Sequence, residues 1–185
     1  PGGHLMRLET RKIALGGVLS ALSVTVMLLG GILPFATFVA PALAGLFLWP
    51  LKREFSVQTG ITAYVAVGFL AFFFVPDKEQ SLIFLFLLGF YPMIKEKLDK
   101  IHKTVLLLLA KVLLFNGLVF FMYSLILFVF PISEIVQEFA TSSFALTIGL
   151  VLLSNFVFLL YDFALVRVRL LYEYRLRPLL FGGAR

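Results

Sequence analysis

The chain has 185 residues, 61% of them hydrophobic and 14% charged, and its mean hydropathy of +1.04 is far above that of a soluble globule. A water-soluble domain is excluded: six spans of about 20 residues would use roughly 120 positions and leave only connections and tails. The formal charge of +6 would suggest nucleic acid in a soluble protein, but here it reads as membrane orientation and contact with anionic lipid heads, with no nucleic-acid partner.

The stretch Pro1-Gly2-Gly3-His4-Leu5 before Met6 reads as a cloning remnant, so residues 1–5 are set aside and 6–185 are expected to form a single six-helix transmembrane domain. Apolar runs broken by charges give six spans: Ile13 to Leu33, Phe35 to Leu51, Ser56 to Pro76, Ser81 to Ile94, Thr104 to Phe130 and Ser143 to Val166. The first lacks a small-residue cleavage site and leads directly into further spans, so it is expected to stay in the mature protein. With the first tail in the cytoplasm, every Lys and Arg falls inside except Lys78 in an outer loop and Lys111 within a span. The expected fold is therefore an all-α membrane protein, a compact six-helix bundle with both termini cytoplasmic, in a cell membrane.

Two spans are irregular. Phe35 to Leu51 has Pro41 in its outer half and ends at Trp49-Pro50, which predicts broken or tilted first turns. Ser81 to Ile94 reaches only about 21 Å against a hydrocarbon core of about 30 Å, so it needs shielding by neighbours, longer flanks or a locally thinner bilayer. Beyond Pro131, Ser133 to Ala140 reads as a short amphipathic turn at the outer interface, either a lid or a connector.

Catalytic devices are missing from the sequence. There is no Cys, hence no disulfide and no thiolate nucleophile or metal ligand. His102 lies in the charged loop Lys95 to Lys103, and neither a metal motif, a Gly-x-Ser-x-Gly elbow nor a P-loop is present. The expectation is a protein that is not an enzyme and holds no metal or cofactor.

Ionisable groups at membrane depth carry the next signal. Lys111 and Asp162 fall at matching depths on the last two spans and are candidates for an intramembrane ion pair, with a structural role or with substrate or ion contact. Snorkelling of Lys111, or pairing of Asp162 with Arg167 or Arg169, are the alternatives. Asn155 shares a face with Asp162, and Asn116 lies at its depth. Asn116 is about 140° round its helix from Lys111, which argues against one rigid interface using both. Outside, Lys78 is the one cation for an anionic solute, while Asp77, Glu79, Glu134 and Glu138 suit cationic or hydroxylated groups. Asp77 also fits an N-cap with Gln80 as its reciprocal partner. On the first span Ala14, Gly17 and Ala21, with Gly16 and Ser20, form a smooth strip that lets another helix approach.

The opening Lys12-Ile13-Ala14-Leu15-Gly16-Gly17-Val18-Leu19-Ser20-Ala21-Leu22-Ser23, followed by Pro34 and Pro41-Ala42-Leu43-Ala44-Gly45-Leu46, resembles the substrate-binding S components of energy-coupling factor transporters. Size, six spans and inside termini agree with that family. The resemblance implies a subunit that captures a vitamin or other micronutrient from outside and docks on a transmembrane coupling subunit driven by two ATPases. In that family an Ala-x-x-x-Ala strip on the first helix makes the docking contact, and Gly17 and Ala21 are the matching pair here. Two other readings stand beside it. One is a structural membrane subunit of a cell-envelope assembly, similar to the rod-shape-determining membrane proteins. The other is a lipid flippase or ion carrier using Lys111 and Asp162.

Overall fold

The computed structural model describes residues 2–33, 36–128, 136–137 and 141–178, and no strand occurs among them. Helices run over Gly2–Gly30 (α1), Val39–Glu54 (α2), Val57–Phe74 (α3), Lys78–Ile83 (α4), Tyr91–Leu98 (α5), Thr104–Phe128 (α6) and Phe144–Leu171 (α7). Wider π-helical turns follow α4 at Phe84–Leu88 and α7 at Tyr172–Leu176.

Four stretches are long and apolar enough to cross a membrane: Glu9–Gly30, Val57–Phe74, Thr104–Phe128 and Phe144–Leu176. The second and fourth expected spans take other forms. α2 has 16 residues and carries Lys52 and Arg53 in its last turn, so it reaches about 24 Å. It does not stop at Trp49-Pro50 but continues through Pro50 to Glu54, and Pro41 sits in its first turn, where a missing N–H is harmless. The stretch expected as one helix from Ser81 to Ile94 is divided into α4, a π turn and α5. Pro92 is the cause: it has no N–H for the Leu88 carbonyl, and its ring crowds that carbonyl, so the helix breaks and restarts at Tyr91. The Gly89 N–H bonds Phe84 O at 2.9 Å instead.

Local chemistry sets the other ends. Ser56 caps α3 by accepting from the Thr59 N–H at 3.1 Å. Val75, held extended by Pro76, stops α3. Ser143 caps α7, which runs past the expected end at Val166 and carries Arg167 and Arg169 within the helix.

The chain divides into two compact units, Pro1–Lys97 and Leu98–Arg185. In the first unit successive helices are antiparallel. Ser23 Oγ donates to Ala44 O at 3.1 Å, Lys12 and Gly16 share a groove with Leu51, and Gly60 meets Lys52. The returning segment places Gln80 beside Met27 and Glu96 beside Lys52. Four passes thus run between a basic end, with Lys12, Lys52 and Arg53, and an opposite end around Gly30 and Asp77. Met27, Leu48, Leu51, Val67, Val75 and Phe84 form the core between them, all fully buried. Small residues allow that density. A Cβ on Gly30 would collide with Ala40 Cβ, and one on Gly60 would lie 2.7 Å from Lys52 Cβ.

In the second unit α6 and α7 are antiparallel. The Phe115 and Phe158 rings stack with centroids 4.4 Å apart. Lys111, Phe115, Met122 and Ile126 recur along one side of α6 and are buried, as are Phe158, Tyr161 and Leu165 along α7. Lys100 and Lys103 lie before α6, Arg167 and Arg169 lie in the last turns of α7, and Arg175 and Arg177 follow it, so the basic residues gather at one end of the hairpin.

Gly30→Val tests the close approach of α1 and α2. Overpacking there is expected to cost about 1 to 3 kcal/mol in reversible denaturation in mixed micelles. Gly16→Val, where an added Cβ meets nothing within 4 Å, is expected to leave stability unchanged.

Candidate functional site

The end of the first unit opposite its basic residues is built around Asp77 to Ser81. Asp77 Oδ1 accepts from the Gln80 N–H at 2.9 Å, capping α4. Its Oδ2 accepts from Thr37 Oγ1 at 2.8 Å, tying down the connection between α1 and α2. Lys78 Nζ donates to the Phe72 and Val75 carbonyls at 2.8 and 3.0 Å, capping the C-terminus of α3, and lies over the Phe72 ring. Ser81 Oγ donates to Ala71 O at 3.0 Å. The Gln80 side chain does not reciprocate to Asp77 as the capping pattern predicts. Its Nε2 reaches α1 and donates to Met27 O at 2.7 Å, while its fully buried Oε1 has no partner. Asp77 and Lys78, two of the residues expected to meet a solute, therefore make internal hydrogen bonds, and Glu79 is half-buried beside them. Glu134 and Glu138 lie outside the described residues, as does most of the turn from Ser133 to Ala140.

Nearer the basic end, the α1 strip is open. Ala14, Gly17 and Ala21 are exposed, and a Cβ added at Gly16 or Gly17 meets nothing within 4 Å. Beside the strip, α1 and α3 border an open groove of about 490 Å³ lined by Lys12, Gly16, Gly17, Ser20, Thr62 and Ala66 among others. Lys52 closes the basic end of the unit. It is buried, donates to Met93 O at 2.8 Å and pairs with Glu96 at 3.1 Å.

The second unit brings the intramembrane candidates together. Lys111 is 6% exposed, which removes snorkelling. Its Nζ lies 2.9 Å from Asp162 Oδ2 and 2.8 Å from Asp99 Oδ1. Asn116 and Asn155 form a reciprocal amide pair, with Nδ2 to Oδ1 distances of 2.8 and 3.1 Å. The helical-wheel objection to one interface using both Lys111 and Asn116 fails. The long lysine side chain covers the angular offset, and Phe115 and Phe158 stack between the two polar pairs. Arg169 turns to Glu173 at 3.4 Å, and Arg167 lies over the Phe163 ring. One lysine thus faces two carboxylates, of which Asp162 is the more enclosed, with side-chain exposures of 17% and 35%. Such a set holds helices together and can polarise or carry a cation, but it offers no activated nucleophile.

Sequence reasoning does not single out Asp99 or the Lys52–Glu96 pair, and it gives Gln80 only a capping role. Asp99 sits in a charged loop without periodicity, where nothing in the spacing links it to Lys111. Gln80 carries a weak signal, a polar side chain at the head of an apolar run. No group of three or more His, Cys, Asp or Glu side chains able to hold a metal ion occurs among the described residues. No protein-family model, curated protein or solved structure matches the chain.

Lys111→Met strands two carboxylates and is expected to cost about 3 to 5 kcal/mol, with much of it recovered in Lys111→Met/Asp162→Leu. Asn155→Leu is expected to cost about 1 kcal/mol or less. Denaturation in mixed micelles, read as a double-mutant cycle, measures both.

Proposed function

We propose that the chain crosses a prokaryotic plasma membrane six times, with both termini in the cytoplasm, and acts as a non-enzymatic capture subunit resembling the S components of energy-coupling factor transporters. In this reading it takes a small solute of the vitamin or micronutrient class from the outer side and docks on a coupling subunit driven by two ATPases. The antiparallel passes of the first unit support six crossings, because α2 and the segment from α4 to α5 run between the same ends as α1 and α3. The basic ends of both units support the orientation.

The observation that carries the docking is the open run of small residues on α1. Gly30 and Gly60 are filled by neighbours within the chain, whereas Gly16 and Gly17, like Gly117 and Gly149 in the second unit, meet nothing within 4 Å, and on α1 they lie beside exposed Ala14 and Ala21. Small residues held open on a membrane helix serve a helix from another molecule. A second reading, a structural subunit of a cell-envelope assembly, draws support from Asp77 and Lys78, whose hydrogen bonds to the chain itself compete with solute binding. Both readings need a protein partner and differ in whether a solute is held.

Affinity purification from native membranes is expected to retain an ATPase-bearing partner, and Gly17→Leu or Ala21→Leu to lower that retention at least about tenfold with the melting temperature unchanged. Equal retention by the variants defeats the docking face. Retention of a partner without ATPases or bound solute selects the structural subunit.

A further inference from the structure

Most hydroxyl side chains in these helices satisfy themselves on the carbonyl three or four residues back. Ser23 bonds Leu19 O, Thr25 bonds Ala21 O, Thr147 bonds Ser143 O and Ser154 bonds Val151 O. Ser20 and Thr62, like Ser124 on α6, do not. Ser20 and Thr62 line the groove between α1 and α3, together with Lys12 and Gln58, and none of these four side chains has a hydrogen-bond or ion-pair partner among the described residues. Polar groups without partners are costly where the surroundings are hydrocarbon. That all four open onto one groove points to an occupant that supplies their partners.

The order of the groups along the groove describes that occupant. Lys12 and Gln58 lie at the basic end. Thr62 is one helical turn beyond Gln58, about 6 Å deeper, and Ser20 is about 12 Å beyond Lys12. Gly16, Gly17, Ala63 and Ala66 add no polar atoms and leave width. From the membrane surface inward the groove therefore offers a cation and an amide, then hydroxyl donors, on an apolar bed. A diacyl phospholipid has the complementary order: an anionic phosphate, then ester carbonyls that accept hydrogen bonds, then acyl chains.

We propose that this groove binds one anionic phospholipid of the leaflet at the basic end. Its phosphate meets Lys12 and Gln58, its ester carbonyls accept from Thr62 and Ser20 across the width left by Gly16, and a chain runs on past Ala66. The site is independent of solute capture and needs only that the chain spans a membrane. Lys12 supplies selectivity through charge, and the hydroxyls supply retention that any glycerophospholipid shares.

Delipidated protein in mild detergent, titrated with equimolar phosphatidylglycerol and phosphatidylcholine of matched chains, tests the site by native mass spectrometry. A single phosphatidylglycerol retained in preference to phosphatidylcholine is expected. Lys12→Gln should lower phosphatidylglycerol retention about fivefold and leave phosphatidylcholine unchanged. Ser20→Ala/Thr62→Val should weaken both lipids alike. Gln58→Leu provides a second headgroup variant at an exposed position, and melting temperatures check that each variant folds. Equal retention of the two lipids by the unsubstituted protein overturns the assignment, as does phosphatidylglycerol retention that neither Lys12→Gln nor Gln58→Leu moves. The groove shares Gly16 and Gly17 with the docking face, so a partner helix and the lipid exclude each other there; the titration uses the isolated chain and copurification is a separate readout, so failure of either leaves the other standing.

Discussion

In a medium without water, a polar group keeps its free energy low only by finding a partner in the chain, and Asp77 to Ser81 does this for three helices at once. Lys78 takes the last carbonyls of α3, Gln80 takes a carbonyl near the end of α1, Ser81 takes another from α3, and Asp77 holds both the start of α4 and the connection through Thr37. A six-residue helix such as α4 has no stability of its own. It persists because its polar residues lie where other helices run out of internal partners, and the apolar residues after it are thereby held against the core.

The same logic explains what was legible in the sequence. Hydropathy alone marks α1, α3, α6 and α7, since each is a long apolar run with charges at its borders, and the caps at Ser56, Asp77 and Ser143 are visible as side-chain types before such runs. α2 and the segment around Pro92 are legible in position but not in extent. Many of their apolar residues face protein, so their length is set by neighbours and not by bilayer thickness, and proline alone does not mark their ends, since α2 carries Pro50 inside while Pro92 restarts a helix at α5. Depth matching along the last two spans places Lys111 beside Asp162, as the distances show. The third member, Asp99, comes from an irregular loop, and no periodicity points to it. The reach of a four-carbon lysine stem also outruns a wheel projection that treats side chains as points on a cylinder.

Small and polar residues are divided by use. Gly30, Gly60 and Gly68 sit where a side chain would strike Ala40, Lys52 or Leu85, and Ser23 and Ser81 are sealed within the first unit. Gly16, Gly17, Ser20 and Thr62 are of the same types but face outward. Composition cannot separate the two sets, because both satisfy the small-residue spacing of membrane helices. Only the packing of α2 and of the turn at Phe84–Leu88 against α1 and α3 decides which glycines are already occupied.

The π turn at Phe84–Leu88 sets the angular phase of α5. One residue more than an α turn rotates the following helix by roughly 100°, and with that offset Met93 enters the core while its carbonyl and Glu96 meet the Lys52 ammonium. Shortening this turn by a single residue would swing α5 round its axis, present Met93 to lipid and leave Lys52 enclosed without its anion. The first unit thus depends on this widened turn to keep α5 in register with α2.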